Sequence, residues 1–282
     1  MKVTIASAKA PVSAFGASCV VSERQVDNSG PHRSYHGCFS TEDRYVHFVG
    51  GWDGSKRCHS VDTYDVRSSE WLGPQKIRGF PEGGGLSSHT VTQTAKGALV
   101  IGRLGGLRTQ RCNSMALLLS GDVRRGFEYR ELPITISSRG GHTATVLSAT
   151  KLALYGGRAD PFTGIEEEIL DFKSHGIPPF VQTSWNISLG DISSKTNVEG
   201  KNLKGRRNHV GCALKDGSVF LHGGELFGKM MIGKDCVTND AWIIDSKKQR
   251  WKLPNDFPSL SVGCVAGAPK ARQQQGNMAP LA

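Results

Sequence analysis

The sequence predicts an all-β fold of the propeller type, because one strand-bearing unit recurs along it at a period that no helical repeat explains. A histidine, a short turn, an apolar strand and two adjacent glycines occur as His36 to Gly50-Gly51, His89 to Gly105-Gly106, His142 to Gly156-Gly157 and His209 to Gly223-Gly224. The first glycine follows the histidine by 14, 16, 14 and 14 residues, and the histidines stand 53, 53 and 67 residues apart. A period of about 50 residues built from short strands is the mark of propeller blades, each a small antiparallel sheet. The 35 glycines suit the many tight turns of such an array.

Each unit repeats the same order of elements. In the first, His36-Gly-Cys-Phe39 opens a strand, Thr41-Glu-Asp43 turns it, and Tyr45 to Val49 returns to Gly50-Gly51. A polar loop from Trp52 to Ser60, a strand ending in Tyr64-Asp65, a turn and Trp71 complete it. The second lacks a late tryptophan and offers Phe127 and Tyr129 instead. The third runs through Lys151 to Tyr155, Ile169 to Phe172 and Trp185. In the fourth, Asp216-Gly217 is a hairpin turn between Gly211–Leu214 and Val219–Leu221, followed by Ala241-Trp242 to Asp245 and then Trp251. Residues 1–30 are weakly patterned, with Cys19 to Glu23 a candidate outer strand of a preceding blade. Residues 31–257 hold the blades. Residues 258–282 read as a disordered tail or the remnant of a further blade.

Composition narrows the function classes. With 38% apolar content, 282 residues can bury a substantial core. Lysine and arginine exceed aspartate and glutamate by 35 − 25 = 10, which favours acidic partners. The charge is dispersed and only 7% of residues are aromatic, so the stripe expected of a nucleic-acid reader is missing. Seven scattered cysteines without Cys-x-x-Cys spacing predict neither a disulfide framework nor a zinc site, and point to a reducing, cytoplasmic compartment. No apolar run approaches membrane-spanning length, and Lys9 and Pro11 interrupt the start of the chain, so neither a membrane span nor a signal peptide is expected.

A strand ending in Gly-Gly, a later Tyr or Trp followed by Asp, and a further Trp together resemble the kelch repeat, over about residues 31 to 254. Segments similar to members of that family are Val49 to Ser55, Gly85 to Thr90, Thr109 to Arg111, His222 to Glu225 and Cys236 to Trp242. The resemblance implies a propeller in which Gly50, Gly51, Gly105, Gly106, Gly156, Gly157, Gly223 and Gly224 let strands crowd near the axis. It implies that Tyr64, Trp71, Trp185, Trp242 and Trp251 pack between blades. Relatives of this kind carry six glycine-pair motifs against four here, which implies a partial or open ring whose sheet edges are exposed. The resemblance also implies protein partners: an A-type cyclin, or cytoskeletal and axonemal proteins of the cytoskeleton or cilium.

Residues with chemical potential are weighed against that scaffold. Gly223 to Lys229 has phosphate-loop spacing, but Met230 stands where magnesium binding needs Ser or Thr. Glu167, Asp171 and His175, at i, i+4 and i+8, resemble the iron-binding spacing of kelch-fold nitrile-specifier proteins. On a helix they would share a face. On a strand Glu167 and Asp171 lie too far apart to chelate, which is the expected arrangement. Ser259 to Ala268 has the loose spacing of an elongin-binding box, though Gly263 and Gly267 oppose the required helix and a truncated next blade explains it better. No copper ligand set can be assembled from the five tyrosines. The expectation is therefore a non-enzymatic adaptor or scaffold without cofactor or metal, with an iron-dependent enzyme and a ubiquitin-ligase receptor as alternatives. Its partner is expected on the loops after the glycine pairs, with Arg33, Arg139, Arg206 and Arg207 near the same mouth and Trp52 and Phe162 as anchors. The repeat histidines are expected to close hydrogen bonds inside each blade.

Overall fold

The computed structural model describes residues 30–103, 114–158, 167–182, 184–185, 196–197, 205–214, 216–226, 237–238, 240–245 and 250–252, together with short strands at Ser18–Cys19 and Val265–Ala266. Every regular element among them is a β-strand, and the strands form the blades of a β-propeller. The first blade is Gly37–Thr41, Tyr45–Trp52, Arg57–Asp65 and Glu70–Trp71, antiparallel and adjacent in chain order. The second places Thr90–Thr94, Gly97–Arg103, Ser114–Asp122 and Gly126–Glu131 in the same order, with Ile77–Arg78 added in parallel at its outer edge. The third has Thr143–Val146, Lys151–Tyr155 and Glu168–Asp171. The fourth has Val210–Leu214, Val219–His222, Ala241–Ile244 and Arg250–Lys252, extended outward by Thr196–Asn197.

The first strands of successive blades are neighbours, so 37–41, 90–94, 143–146 and 210–214 line the axis. Crowding there is handled by single glycines: a Cβ on Gly37 would lie 2.2 Å from Val91 Cγ2, and one on Gly211 would lie 2.7 Å from Thr143 Oγ1. The core is not inside the blades but between them, because alternate residues of a strand face opposite sides of its sheet. Ala98, Val100, Leu117 and Leu119 pack toward Phe39, Val49 and Val61 of the first blade. Their neighbours Leu99, Ile101, Ala116 and Leu118 pack toward Leu152, Leu154 and Leu170 of the third. Ala153 and Tyr155 then face Val219, Leu221, Trp242 and Ile244 of the fourth.

Three details depart from a regular four-stranded blade. The segment Ser184–Trp185, which in chain order stands as the third blade's last strand, pairs in parallel with Ala213–Leu214 on the inner strand of the fourth. Trp185 is thus corrected from the third blade's outer position, and that blade has three strands among the described residues. Ser18–Cys19 pairs in parallel with Val265–Ala266, and that strand lies beside 210–214. The rest of the proposed tail, and most of the elongin-box match, lie outside the described residues.

Each described glycine pair ends the second strand of its blade, and both members are left-handed: φ is +62° and +100° at Gly50 and Gly51, +62° and +90° at Gly156 and Gly157, and +69° and +94° at Gly223 and Gly224. Gly105 and Gly106 lie outside the described residues. The pairs are needed for this turn and for a close approach to the next blade. A Cβ on Gly156 would sit 2.4 Å from the Arg206 carbonyl oxygen and 2.8 Å from His209 Cε1. Gly176 is also left-handed, at φ +60°, but has open space around it. Gly156→Ala is therefore expected to cost clearly more than the roughly 1 kcal/mol left-handed penalty that Gly176→Ala should show alone; urea unfolding of the two variants measures the difference.

Candidate functional site

The residue before each repeat histidine is left-handed too: φ is +58° at Tyr35, +55° at Ser88, +74° at Gly141 and +55° at Asn208. These residues form a backbone relay. Ser88 donates its N–H to the Tyr35 carbonyl (3.0 Å), Gly141 to Ser88 (2.8 Å) and Asn208 to Gly141 (2.7 Å). A second set of bonds runs between blades from the glycine pairs, with Gly51 N–H to the Leu86 carbonyl at 2.8 Å and Gly157 N–H to the Arg206 carbonyl at 2.7 Å.

The histidines join the same junctions. His142 Nε2 meets Thr90 Oγ1 at 3.0 Å, and His209 Nε2 meets Thr143 Oγ1 at 3.0 Å. Each bond reaches the inner strand of the preceding blade, so the expectation that these histidines bond within their own blade is corrected: the threonine hydroxyl is brought within reach only across the junction. Opposite His89 the threonine position is Gly37, which offers no hydroxyl. Burial pushes the pKa of His89 and of His209 down to about 3 and lowers that of His36. His47 is held between Phe39 and Phe127, bonded to Thr41 and Thr63, with its pKa pushed down to about 4 by burial.

The arginines three residues before the histidines prove to be internal. Arg139 is fully buried; its guanidinium donates to Glu168 at 2.6 Å and to the Gly156 carbonyl at 3.1 Å. Arg206, 2% exposed, donates to both carboxylate oxygens of Asp240 (2.5 and 3.2 Å) and to the Gly223 carbonyl at 3.0 Å. Both are therefore withdrawn from the expected partner-facing set, because each is used to hold its own blade's glycine turn against an acidic residue at the third strand. Arg33 repeats the pattern loosely, 3.8 Å from Asp62 and bonded to Ser60. Arg207 pairs with Glu225 and stays partly exposed. In the second blade Leu86 replaces the arginine and joins the apolar core.

Above these junctions a rim is assembled. Ser34 bridges Trp52, Gly140 bridges Arg158, and Arg207 pairs with Glu225. The segments before the histidines and those after the glycine pairs thus adjoin on one side of the propeller, by the same contact in three blades. Trp52 is half-buried there. Val237, bridged to Glu225, is 45% exposed. Phe162 lies outside the described residues. Sequence reasoning missed Val237, which no repeat feature singles out.

The remaining predicted residues take structural places. Tyr64 is buried and packs edge-on against Trp71 (5.4 Å), which also touches Phe48. Trp242 is buried and donates its indole N–H to Asp240 at 2.9 Å. Trp251 lies in the strand paired with Trp242 and Ile243. Asp65, Asp122 and Asp171 end the third strands of three blades and accept from backbone N–H groups two residues on. Arg44 adds a two-pronged bond to Asp65 and holds its carboxyl pKa at about 2. Asp171 is thus a turn cap paired with Lys151 at 3.8 Å, on a strand and not a helix, and His175 sits in the turn after it against Phe172. Among the described residues no cluster of potential ligands converges on a metal. Lys229 of the phosphate-loop match lies outside them. Cys38, Cys58 and Cys212 take part in no disulfide, and burial pushes the Cys212 thiol up to about 12, far from nucleophilic.

Two outcomes follow for stability. Arg139→Ala or Arg206→Ala leaves a partly buried carboxylate and a carbonyl without their cation, and each is expected to cost about 3 kcal/mol in denaturant unfolding. Acidification acts through the histidines. Their folded pKa values lie below the ordinary 6.5, so the unfolded chain binds more protons as pH falls. Stability is complete above about pH 6.5 and is lost progressively toward pH 4, by up to about 1.4 kcal/mol per pH unit for each such histidine. A series of urea midpoints from pH 8 to pH 5 should be flat and then fall steeply.

No protein-family model matches the chain. Among curated proteins it is similar to Kelch domain-containing protein 9 of Homo sapiens, 31% identical over 228 residues that cover 77% of this chain and 63% of that protein. It is likewise similar to Kelch domain-containing protein 9 of Mus musculus, 31% identical over 258 residues, 85% of this chain and 69% of that protein. The chain thus spans about two thirds of the length of these relatives.

Proposed function

The chain belongs to the kelch-repeat family of β-propellers, and from that premise we propose that it is a non-enzymatic adaptor or scaffold that holds a partner protein on the rim after the glycine pairs. The supporting observation is the division of polar groups. Histidines and arginines near the junctions are engaged inside the fold, while the rim carries Trp52, Arg207 and the exposed Val237. An aromatic and an aliphatic side chain among charged groups suit a protein surface with an acidic or polar segment, to which the net charge of +10 steers the encounter. The partner classes to present first are an A-type cyclin and cytoskeletal or axonemal proteins.

Affinity capture from native tissue with the wild-type chain and with a Trp52→Ala, Val237→Asp double variant tests the reading. The variant is expected to lose the partner by tenfold or more while its thermal midpoint stays within a few degrees, since rim side chains contribute little to folding. Undiminished capture by the variant would overturn the rim as the binding face.

A further inference from the structure

A different surface carries an inference beyond the rim. The outer strand of the third blade, Glu168–Asp171, is the third strand whose outer side no fourth strand covers among the described residues, because Ser184–Trp185 is paired into the fourth blade instead. In the other blades that side is occupied by Glu70–Trp71, Gly126–Glu131 and Arg250–Lys252. The hydrogen-bond phase of the edge is fixed. Phe172 N–H donates to the Thr150 carbonyl at 2.9 Å, so Leu170 and Glu168 bond inward to Lys151–Tyr155, and Ile169 and Asp171 turn their N–H and C=O groups outward.

The side chains add selectivity. Ile169 is 43% exposed, one of two large hydrophobics exposed among the described residues. By strand alternation Glu167 and Asp171 flank it on the same face. The Asp171 carboxylate accepts from the Lys173 N–H and faces Lys151 at 3.8 Å, with the Lys151 and Asp171 side chains both about half exposed, an ion pair of small energetic weight. The edge is thus a local acid–apolar–acid stripe on a chain of net charge +10. It is also rigid: Leu170 is buried in the core between blades and Glu168 is tied to Arg139 and to Ser137 N–H.

We propose that this edge docks an extended segment of another protein by strand addition, the segment carrying one apolar residue with lysine or arginine two positions to either side. Main-chain bonds to Ile169 and Asp171 supply affinity, and cross-strand contacts of the cations with Glu167 and Asp171 set register.

The probe is a fluorescent peptide, Thr-Lys-Thr-Ile-Thr-Lys-Thr, titrated against the full chain by anisotropy, with a scrambled Lys-Lys-Thr-Thr-Ile-Thr-Thr control. Ile169→Pro removes the outward N–H without breaking an inward bond, as edge strands tolerate. It is expected to weaken the peptide at least tenfold with an unchanged thermal midpoint. A Glu167→Lys, Asp171→Lys double variant, at one half-buried and one exposed position, should do the same whether or not the proline variant folds. Equal binding of the scrambled peptide, equal binding by both variants, or no binding by the wild type would overturn the proposal. So would a wild-type dimer that Ile169→Pro converts to monomer, which would assign the edge to a second copy. The Trp52 and Val237 variant should bind the peptide normally, so failure here leaves the rim reading intact.

Discussion

The structure depends on one backbone constraint: a left-handed residue stands immediately before each repeat histidine, and in the second, third and fourth blades its N–H reaches the carbonyl of its counterpart in the preceding blade. A blade of three or four short strands cannot bury both of its faces by itself, and at the three described junctions the facing sides of neighbouring blades complete one another. The relay fixes how far apart and in what orientation those neighbours stand. Once Gly141 is bonded to Ser88, the next residue, His142, falls opposite Thr90 and their side chains meet at 3.0 Å. The same spacing brings the Gly156-Gly157 turn under Arg206 and His209. The recurring histidine and the recurring glycines are therefore two sides of one junction, which is why their interval is nearly constant.

The junctions are not chemically alike, and the differences balance locally. Where the second blade has Leu86 in place of arginine, and Gly37 in place of threonine faces its histidine, the interface is carried by apolar and aromatic packing of Phe39, Phe127, Tyr129 and the sandwiched His47. The fourth blade instead holds its glycine turn with a buried arginine bonded to Asp240. Burying that cation without its carboxylate would cost more than the turn returns, so arginine and acid come together in a blade or not at all. The second blade drops the cation and makes up the loss in apolar area.

The fold was legible in the sequence because a junction that recurs imposes the same residue types at the same spacing four times. Strand pairing followed from turns such as Asp216-Gly217, whose aspartate accepts from Ser218 N–H as a hairpin signal should. What the sequence concealed was which side of a junction a polar residue serves. Arg139 and Arg206 sit beside loop residues in the chain, and nothing local distinguishes an arginine pointing to solvent from one folded back onto a carbonyl. The acids that decide it, Glu168 and Asp240, are 29 and 34 residues further on. The pairing of Trp185 is concealed for a related reason. Its distance along the chain fits the third blade, but a strand of two residues has no register of its own, and it pairs where an unfilled edge is offered.

That displacement separates the two surfaces on which recognition can be built. The rim consists of segments that leave the junction after its bonds are complete, so their side chains can change with little effect on the relay. The edge at Glu168–Asp171 is the reverse case. Its residues are tied to the junction through the Glu168 bond to Arg139 and through Leu170 in the core, and only the alternate positions, Ile169 and Asp171, face outward. A ligand on the rim must order loops and loses binding energy to do so. A strand added at the edge meets backbone groups already fixed in place by the same arginine that holds the glycine turn, and loses little of its own binding energy to ordering the surface it meets.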